Sequence, residues 1–452
     1  MPRDSGSDQP QKREHWASKA GFIMAAAGSA VGLGNVWKFP YMAGENGGGA
    51  FVMVYLPIVF TIGISILLAE LIIGRAAQKD PVGSFRVLRG RAWPLVGFLG
   101  ILAGFLILSF YSVVAGWTVA FAAKMATGML NGQGADPAAV FGSFISSPMQ
   151  PLLYACGFMV VAVVVVLGGI RRGIERANLV LMPLLFVILV ALVGRSLTLP
   201  GAMEGFTFFV TPDFSKVTGA TFTAALGQAF FSLSVGLGAM ITYGSYLDHK
   251  QNIGRSASSV VGLDTVAALL AGLVLFPAVF AFGVDPGAGP GLAFVTLPSV
   301  FAQMPAGQIF GTLFFVLLSI AALTSAVSLM EPVVAYFMDQ HGFGRTQIVI
   351  ATGVAAFVLG IPSSLSMGIW SDATLFGMGF LDLIAFVTSS IMLPVGGLLI
   401  ALFVGWVMGS RAIAELKGNG DTPPALARAW LFILRFVAPA AIAWILIKEL
   451  IS

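Results

Sequence analysis

The chain has 452 residues, 58% of them hydrophobic and 10% charged, with a net charge of +4 and a mean hydropathy of +0.93. Ordinary soluble domains carry roughly 25% charged residues, so this composition describes a polytopic membrane protein and excludes a separate soluble domain of useful size. Lys and Arg fall in short clusters between apolar segments, which is no nucleic-acid signature, and one cysteine (Cys156) excludes a disulfide framework and a cysteine metal cluster.

A polar segment, Met1 to Arg13, comes first. The apolar run after it contains Lys38 and a glycine break and ends in no small-residue cleavage site, so it is not read as a cleavable signal peptide. A crossing needs about 20 apolar residues. Eleven spans are predicted, at 17–40, 45–74, 93–126, 152–169, 174–195, 219–247, 256–283, 306–338, 346–362, 379–409 and 426–449. Basic residues set the orientation. Lys12, Arg13, Lys19, Arg75, Lys79, Arg86, Arg89, Arg91, Arg171, Arg172, Arg176, Lys250, Arg255, Arg345, Arg411, Lys417 and Arg428 fall on one face. The opposite face receives Lys124, Arg195, Lys216 and Lys448. The N-terminus is therefore expected in the cytoplasm and, with an odd number of spans, the C-terminus outside. Two outer connections, Leu197–Thr218 and Val284–Met304, are long and contain Phe206, Phe208, Phe209, Leu292, Phe294 and Val295. These are expected to pack over the membrane domain, and a passive connector is the plainer reading. Cys156 lies in an apolar run and is expected to be a packing residue.

The tetrapeptide Val-Gly-Leu-Gly occurs at Val31–Gly34 in span 1 and again at Val235–Gly238 in span 6. Glycine within a helix is unfavourable, and an opened helix in lipid is tolerated only where its backbone lines a protein-enclosed cavity. Paired interruptions in the two halves of a chain point to a secondary-transporter binding site. The first break offers carbonyls and the amide of Asn35, and the second offers Ser232 and Ser234 beside Phe230 and Phe231. Such oxygens suit a desolvated alkali ion, and half-helix N-termini suit a carboxylate. Thr324 and Ser325 form a further polar cluster in an apolar helix, where bonding back to the helix's own carbonyls is the commoner outcome. Ionisable residues within spans are Lys38, Glu70, Asp264, Glu331 and Asp382, each a functional candidate because burial is costly. For Asp264 a snorkelling role stands as the alternative, and for Glu70 a bracing one.

These residues together resemble the neurotransmitter:sodium symporter family, specifically its eleven-span bacterial amino-acid transporters. The segments that carry the likeness are Lys12-Arg13-Glu14-His15-Trp16-Ala17, Ala30-Val31-Gly32-Leu33-Gly34-Asn35-Val36-Trp37, Glu45-Asn46-Gly47-Gly48-Gly49-Ala50-Phe51, Gly227-Gln228-Ala229-Phe230-Phe231 and Ile241-Thr242-Tyr243-Gly244-Ser245-Tyr246. The resemblance implies an all-α membrane protein with a LeuT-type 5+5 inverted repeat. A cytoplasmic segment with an inner-gate motif would cover 1–16, the first repeat 17–195, an outer loop 196–218, the second repeat 219–409 and an eleventh helix 426–449. It implies coupling of sodium entry to amino-acid uptake, with two sodium sites. The first would use the Ala30 carbonyl, Asn35, Ser232, Asp264 and the substrate carboxylate. The second would use the Gly28, Val31 and Ala321 carbonyls with Thr324 and Ser325. The substrate carboxylate would face Leu33, Gly34 and Tyr111, and its amine the Ser234 region. Val114, Phe231, Leu237, Ala326 and Leu329 would hold the side chain, under a lid of Tyr111 and Phe231. The inner gate would pair Arg13 with Asp339, with Trp16 bracing the Arg and Ser245 and Tyr246 beside it. Gly173 and Pro183 would mark where span 5 unwinds.

Departures from the family pattern sharpen the expectation. Lys38 and Asp382 stand where a well-known relative pairs Arg with Asp, so a looser outer gate is expected, because Lys has no bidentate fork. Asp264 replaces the common Asn and would supply a fixed negative charge, which suggests chloride-independent transport. The expected pocket is apolar and without a countercharge, suited to neutral hydrophobic amino acids. The alternatives are sodium-coupled transport of glycine, betaine or another small amine, and a membrane sensor that binds an amino acid without moving it. No nucleophile, base and orienting group stand together in the sequence, so an enzyme is not expected. A monomer or weak dimer in a bacterial inner membrane completes the expectation.

Overall fold

The computed structural model describes residues 14–130, 136–284, 289–418 and 422–451. Helices α1 (Lys19–Ala30) and α2 (Gly34–Glu45) form one span bent by 50° at its break. Then come α3 (Gly49–Ala77), α4 (Pro81–Leu88), α5 (Pro94–Ala126), α6 (Pro137–Ser146), α7 (Gln150–Leu167), α8 (Ile170–Leu197) and α9 (Ala202–Val210). The second broken span is α10 (Gly219–Ser232) and α11 (Ala239–Ser245), followed by α12 (Ile253–Ala281), α13 (Thr296–Gln303), α14 (Gly307–His341) and α15 (Arg345–Leu365). The chain closes with α16 (Phe380–Met408), α17 (Ser410–Lys417) and α18 (Pro424–Lys448). Among the described residues nine helices are long and apolar enough to cross a membrane, or ten with the bent pair. The predicted sixth span fails that test because its halves, of 14 and 7 helical residues, are parted by the longer break 233–238. The order is therefore a broken span and four continuous ones, twice, and then α18.

Lipid is as apolar as the helices, so small residues that allow close backbone approach decide which helices pack. Gly74 of α3 and Gly244 of α11 each lie against the other helix's backbone, at the Ile241 and Leu71 carbonyls. A Cβ on Gly116 of α5 would stand 2.6 Å from the Ala155 nitrogen of α7. The result is a centre of α5 and α14, 72% and 78% buried, within an outer layer where α7, α8 and α18 are 33% buried. Cys156 is exposed on α7, which corrects the expectation that it packs inside: its apolar run faces outward on a peripheral helix.

Both long outer connections fold onto the membrane domain. Phe209 of α9 stacks on Phe276 of α12 and meets the edge of Phe39. Phe294 is buried between Phe141, Trp117 and Phe121. Part of the second connection, 285–288, lies outside the described residues.

Candidate functional site

The two broken spans are knitted to each other by side chains. Gln228 of α10 donates to the Gly34 carbonyl at 2.7 Å, and the Ser234 hydroxyl donates to the Ser29 carbonyl at 2.9 Å. The Asn35 amide donates to Ser232 Oγ at 3.0 Å and to Asp264 Oδ1 at 2.8 Å. Ser232 Oγ lies 2.8 Å from each oxygen of Asp264. Asp264 is fully buried, which rules out the snorkelling reading. A buried carboxylate is tolerable only with hydrogen bonds and a compensating charge. Three of the four expected first-site residues, Asn35, Ser232 and Asp264, thus meet in one cluster. The fourth, Ala30, is the last residue of α1, where the helix releases its carbonyls.

The expected second site divides. Ser325 on α14 reaches across to α1, with its hydroxyl 3.4 Å from the Gly28 carbonyl and 3.2 Å from that of Ser29. Thr324 instead donates to its own helix, at the Ala321 and Ile320 carbonyls (3.1 and 3.3 Å). A would-be Cβ on Gly28 lies 3.1 Å from Thr324 Cβ, so the two helices touch there. Val31 caps α1 with ψ 87°, turning the chain out of the helix.

Between the breaks lies a cavity of about 30 Å³ lined by Ala30, Gly34, Tyr111, Phe231, Ser234, Leu237 and Leu329, all expected, together with Ser29, Gly32, Ile107, Ser325 and Leu393. Leu33, Val114, Ser232 and Ala326 are buried but outside its lining. Leu33 contributes its backbone instead, its N–H pointing to the Tyr111 hydroxyl at 3.4 Å. Ile107 stands one turn before Tyr111 on the same face, a position readable from helical spacing. Leu393 arrives from α16 and has no sequence signal. No lining side chain carries a formal charge.

Phe231 and Leu393 also line a second, larger vestibule of about 400 Å³, with Lys38, Gln228, Ser389, Ser390 and Lys448. Phe231 is therefore the partition between cavity and vestibule. The Lys38 ammonium stands 4.5 Å from the centroid of its ring, a cation–π geometry. The structure does not bring Lys38 and Asp382 together as an ion pair: Asp382 lies in the first turn of α16 and does not line the vestibule. A carboxylate at a helix N-terminus and an ammonium on an aromatic face each find partial compensation where they are.

Of the residues expected at the inner gate, Arg13 lies outside the described residues. Trp16 is buried, donates to the Tyr243 carbonyl at 3.0 Å and packs edge-on against Phe22, Tyr243 and Tyr246. Asp339 accepts the Asp80 backbone N–H at 2.8 Å, tying α14 to α4. Tyr246 donates to Glu331 at 2.9 Å, and Glu331 pairs with Arg345 at 2.6 Å. Arg345 also donates to the Val166 carbonyl, so this cluster joins α14 to the ends of α7 and α11 and the start of α15. Spacing along one helix does not reveal this pair, because Arg345 begins a different helix.

Gly173 sits in a π-helical turn, Ile170–Glu175, wound in this structure. A side chain there would strike the Val165 carbonyl of α7. Pro183 lies within α8. Glu175 of the same turn accepts the Ala17 and Ser18 amides at 2.8 and 3.1 Å, holding the start of α1. Glu70, fully buried, accepts the Gly236 N–H at 2.5 Å and so holds the second break open, a more specific role than bracing.

Comparison with known proteins agrees with this architecture. The sodium:neurotransmitter symporter family matches residues 13–135 and 145–452. The chain is 45% identical to the sodium-dependent transporter YhdH of Bacillus subtilis (96% of each chain) and 36% identical to a sodium-dependent transporter of Haemophilus influenzae (97% of this chain, 99% of the other). The crystal structure of MhsT in complex with L-phenylalanine superposes with a TM-score of 0.90 at 48% identity, over 97% of this chain and all of that one. The chain therefore belongs to the sodium:neurotransmitter symporter family, as a multi-pass, sodium-dependent transporter with the LeuT-type fold.

Proposed function

We propose that this protein is a sodium-coupled symporter that imports neutral hydrophobic amino acids by alternating access, without need of chloride. The observation that carries the reading is the buried Asp264, bonded to Asn35 of the first break and Ser232 of the second, beside a cavity with no charged lining. A sodium ion held by the Ala30 carbonyl, Asn35, Ser232 and Asp264 would balance that carboxylate and link both broken spans to the substrate carboxylate. A second ion would sit among the Gly28, Val31 and Ala321 carbonyls, Thr324 and Ser325, where the oxygen-only donor set suits a hard cation. The substrate carboxylate would face the Leu33 and Gly34 amides and Tyr111, and the amine the Ser234 region. Phe231, Leu237 and Leu329 would hold the side chain, with Val114 and Ala326 joining as the cavity widens from its closed volume. Phenylalanine in the MhsT structure supports this substrate class.

Phe231 would be the outer lid, with Lys38 on its ring; Asp382 would act only after a movement of α16. Arg13, Trp16, Tyr246 and Asp339 would close the inner side. Unwinding at Gly173, with Pro183 removing a backbone donor, would admit water to the second ion. A monomer or weak dimer in the bacterial inner membrane, N-terminus inside and C-terminus outside, fits the distribution of basic residues.

Uptake of radiolabelled amino acids into proteoliposomes, under an inward sodium gradient or equimolar potassium, with and without chloride, tests this. Sodium-driven accumulation of phenylalanine- or leucine-like substrates, indifferent to chloride, is expected. A chloride requirement in the wild type removes Asp264 as the fixed anion. Binding without sodium-driven accumulation favours the sensor, and accumulation of glycine or betaine alone favours a small-amine carrier.

A further inference from the structure

Asn178 lies on α8, just after the π-helical turn, and is 1% exposed. Its amide nitrogen donates to the Ile174 carbonyl one turn back at 2.9 Å. That bond fixes the amide's orientation and turns the oxygen the other way. Asn178 Oδ1 is buried and has no hydrogen-bond partner. It is directed at Gly28 of α1: a Cβ added there would collide with this oxygen and stand 3.1 Å from Thr324 Cβ. Only a residue without a side chain at 28 lets the oxygen come so close to α1. The same point on α1 faces α14: Thr324 Cβ lies 3.1 Å from that would-be Cβ, and the Ser325 hydroxyl lies 3.4 Å from the Gly28 carbonyl.

A buried amide oxygen without a donor costs folding free energy. The cost is offset when a cation supplies the missing partner. We infer that Asn178 is a further residue of the second sodium site, its amide oxygen serving the ion from α8, opposite α1 and α14. The inference rests on the sodium-coupled reading above. It gives α8 a direct electrostatic interest in the ion. When α8 moves at Gly173, it carries one of the ion's oxygens with it. Asn178 is a ligand of the ion, and its effect is on sodium before it is on the amino acid.

The test is binding of radioactive sodium to the purified full-length chain in detergent, without amino acid, for wild type, Asn178→Leu and Asn178→Asp, with thermal stability measured alongside. Loss of one oxygen in Asn178→Leu is expected to weaken sodium binding about 10-fold. Asn178→Asp, which keeps the oxygen and adds charge, is expected to bind sodium at least as tightly as wild type. Sodium affinity unchanged in both variants overturns the inference while leaving the symporter reading intact. Equal weakening in both, tracking a fall in stability, also overturns it, since that marks a purely structural amide. A wild type that binds no sodium overturns the inference and the symporter reading together. Where Asn178→Leu does not fold, Asn178→Asp decides: weaker sodium binding in a stable protein overturns the inference, and tighter binding supports it.

Discussion

The same four residues, Val-Gly-Leu-Gly, make two different breaks. In the second, Ser234, Gly236 and Gly238 all take positive φ (52°, 87° and 72°). In the first, Gly32 and Gly34 do not. The first break is a bend of 50° resolved within a few residues, its amides met by Asn35 and Tyr111. The second spans 233–238, and its Gly236 amide is held by the buried Glu70 while a Cβ on Gly236 would stand 2.6 Å from the Leu393 carbonyl. A glycine-rich tetrapeptide therefore licenses a break without choosing its form. Neighbouring helices choose it: a carboxylate from α3 and a carbonyl from α16 in one case, a phenol from α5 in the other.

The largest expected effect concerns the helix that follows the second break. Glu331→Ala leaves Arg345 without its carboxylate and Tyr246 without its acceptor. Breaking one partner of a buried pair costs about 3–5 kcal/mol, so thermal unfolding in detergent should show a severe loss of stability. A variant as stable as wild type would mean that α11 is not anchored by this cluster.

Glycine substitutions probe the contrast itself. Gly236→Ala forces a Cβ into a positive-φ position against a backbone carbonyl and should cost more than about 1 kcal/mol, with loss of uptake. At Gly32 the nearest obstacle is the Ser325 hydroxyl, so Gly32→Ala should be milder and partly rescued by Ser325→Ala. Equal losses, or no rescue, would erase the distinction between the two breaks.

Glu70→Ala removes the acceptor of the Gly236 amide. An unsatisfied buried donor costs about 1–3 kcal/mol, so stability should fall by that order while radioactive sodium binding to the folded fraction persists. The smallest expected effect is at the first break. Tyr111→Phe removes one long hydrogen bond, 3.4 Å to the Leu33 amide, worth about 0.5–1.5 kcal/mol at most in a folded protein. Its larger consequence should be in substrate affinity, read from the half-saturating phenylalanine concentration, with little change in thermal stability. A stability loss as large as that of Glu70→Ala would show the first break to be held as firmly as the second.

Much of this molecule was legible in its residues. Spans follow from apolar length because lipid leaves the backbone no alternative to helix, and the breaks follow from glycine's cost in a helix. Asn35 and Ser232 stood out beside the breaks and Asp264 as a costly charge within a span, and the family resemblance implied that the three act together. Other roles had no such signal. Whether Ser325 would reach α1 while Thr324 bonded its own helix depends on which face of α14 meets α1. Leu393, Glu175, Asn178 and the Glu331–Arg345 pair matter through residues far away in the chain, and periodicity describes one helix at a time. Lys38 met the Phe231 ring and not Asp382, because pairing across spans depends on where each helix end comes to rest. The sequence by itself determined which segments are helices, where they break and what chemistry the breaks offer, since those follow from local backbone cost and the solvent. Only the tertiary structure decided which oxygens face one another, the shape of each break and the volume between them, because these depend on close approach between helices that no single segment encodes.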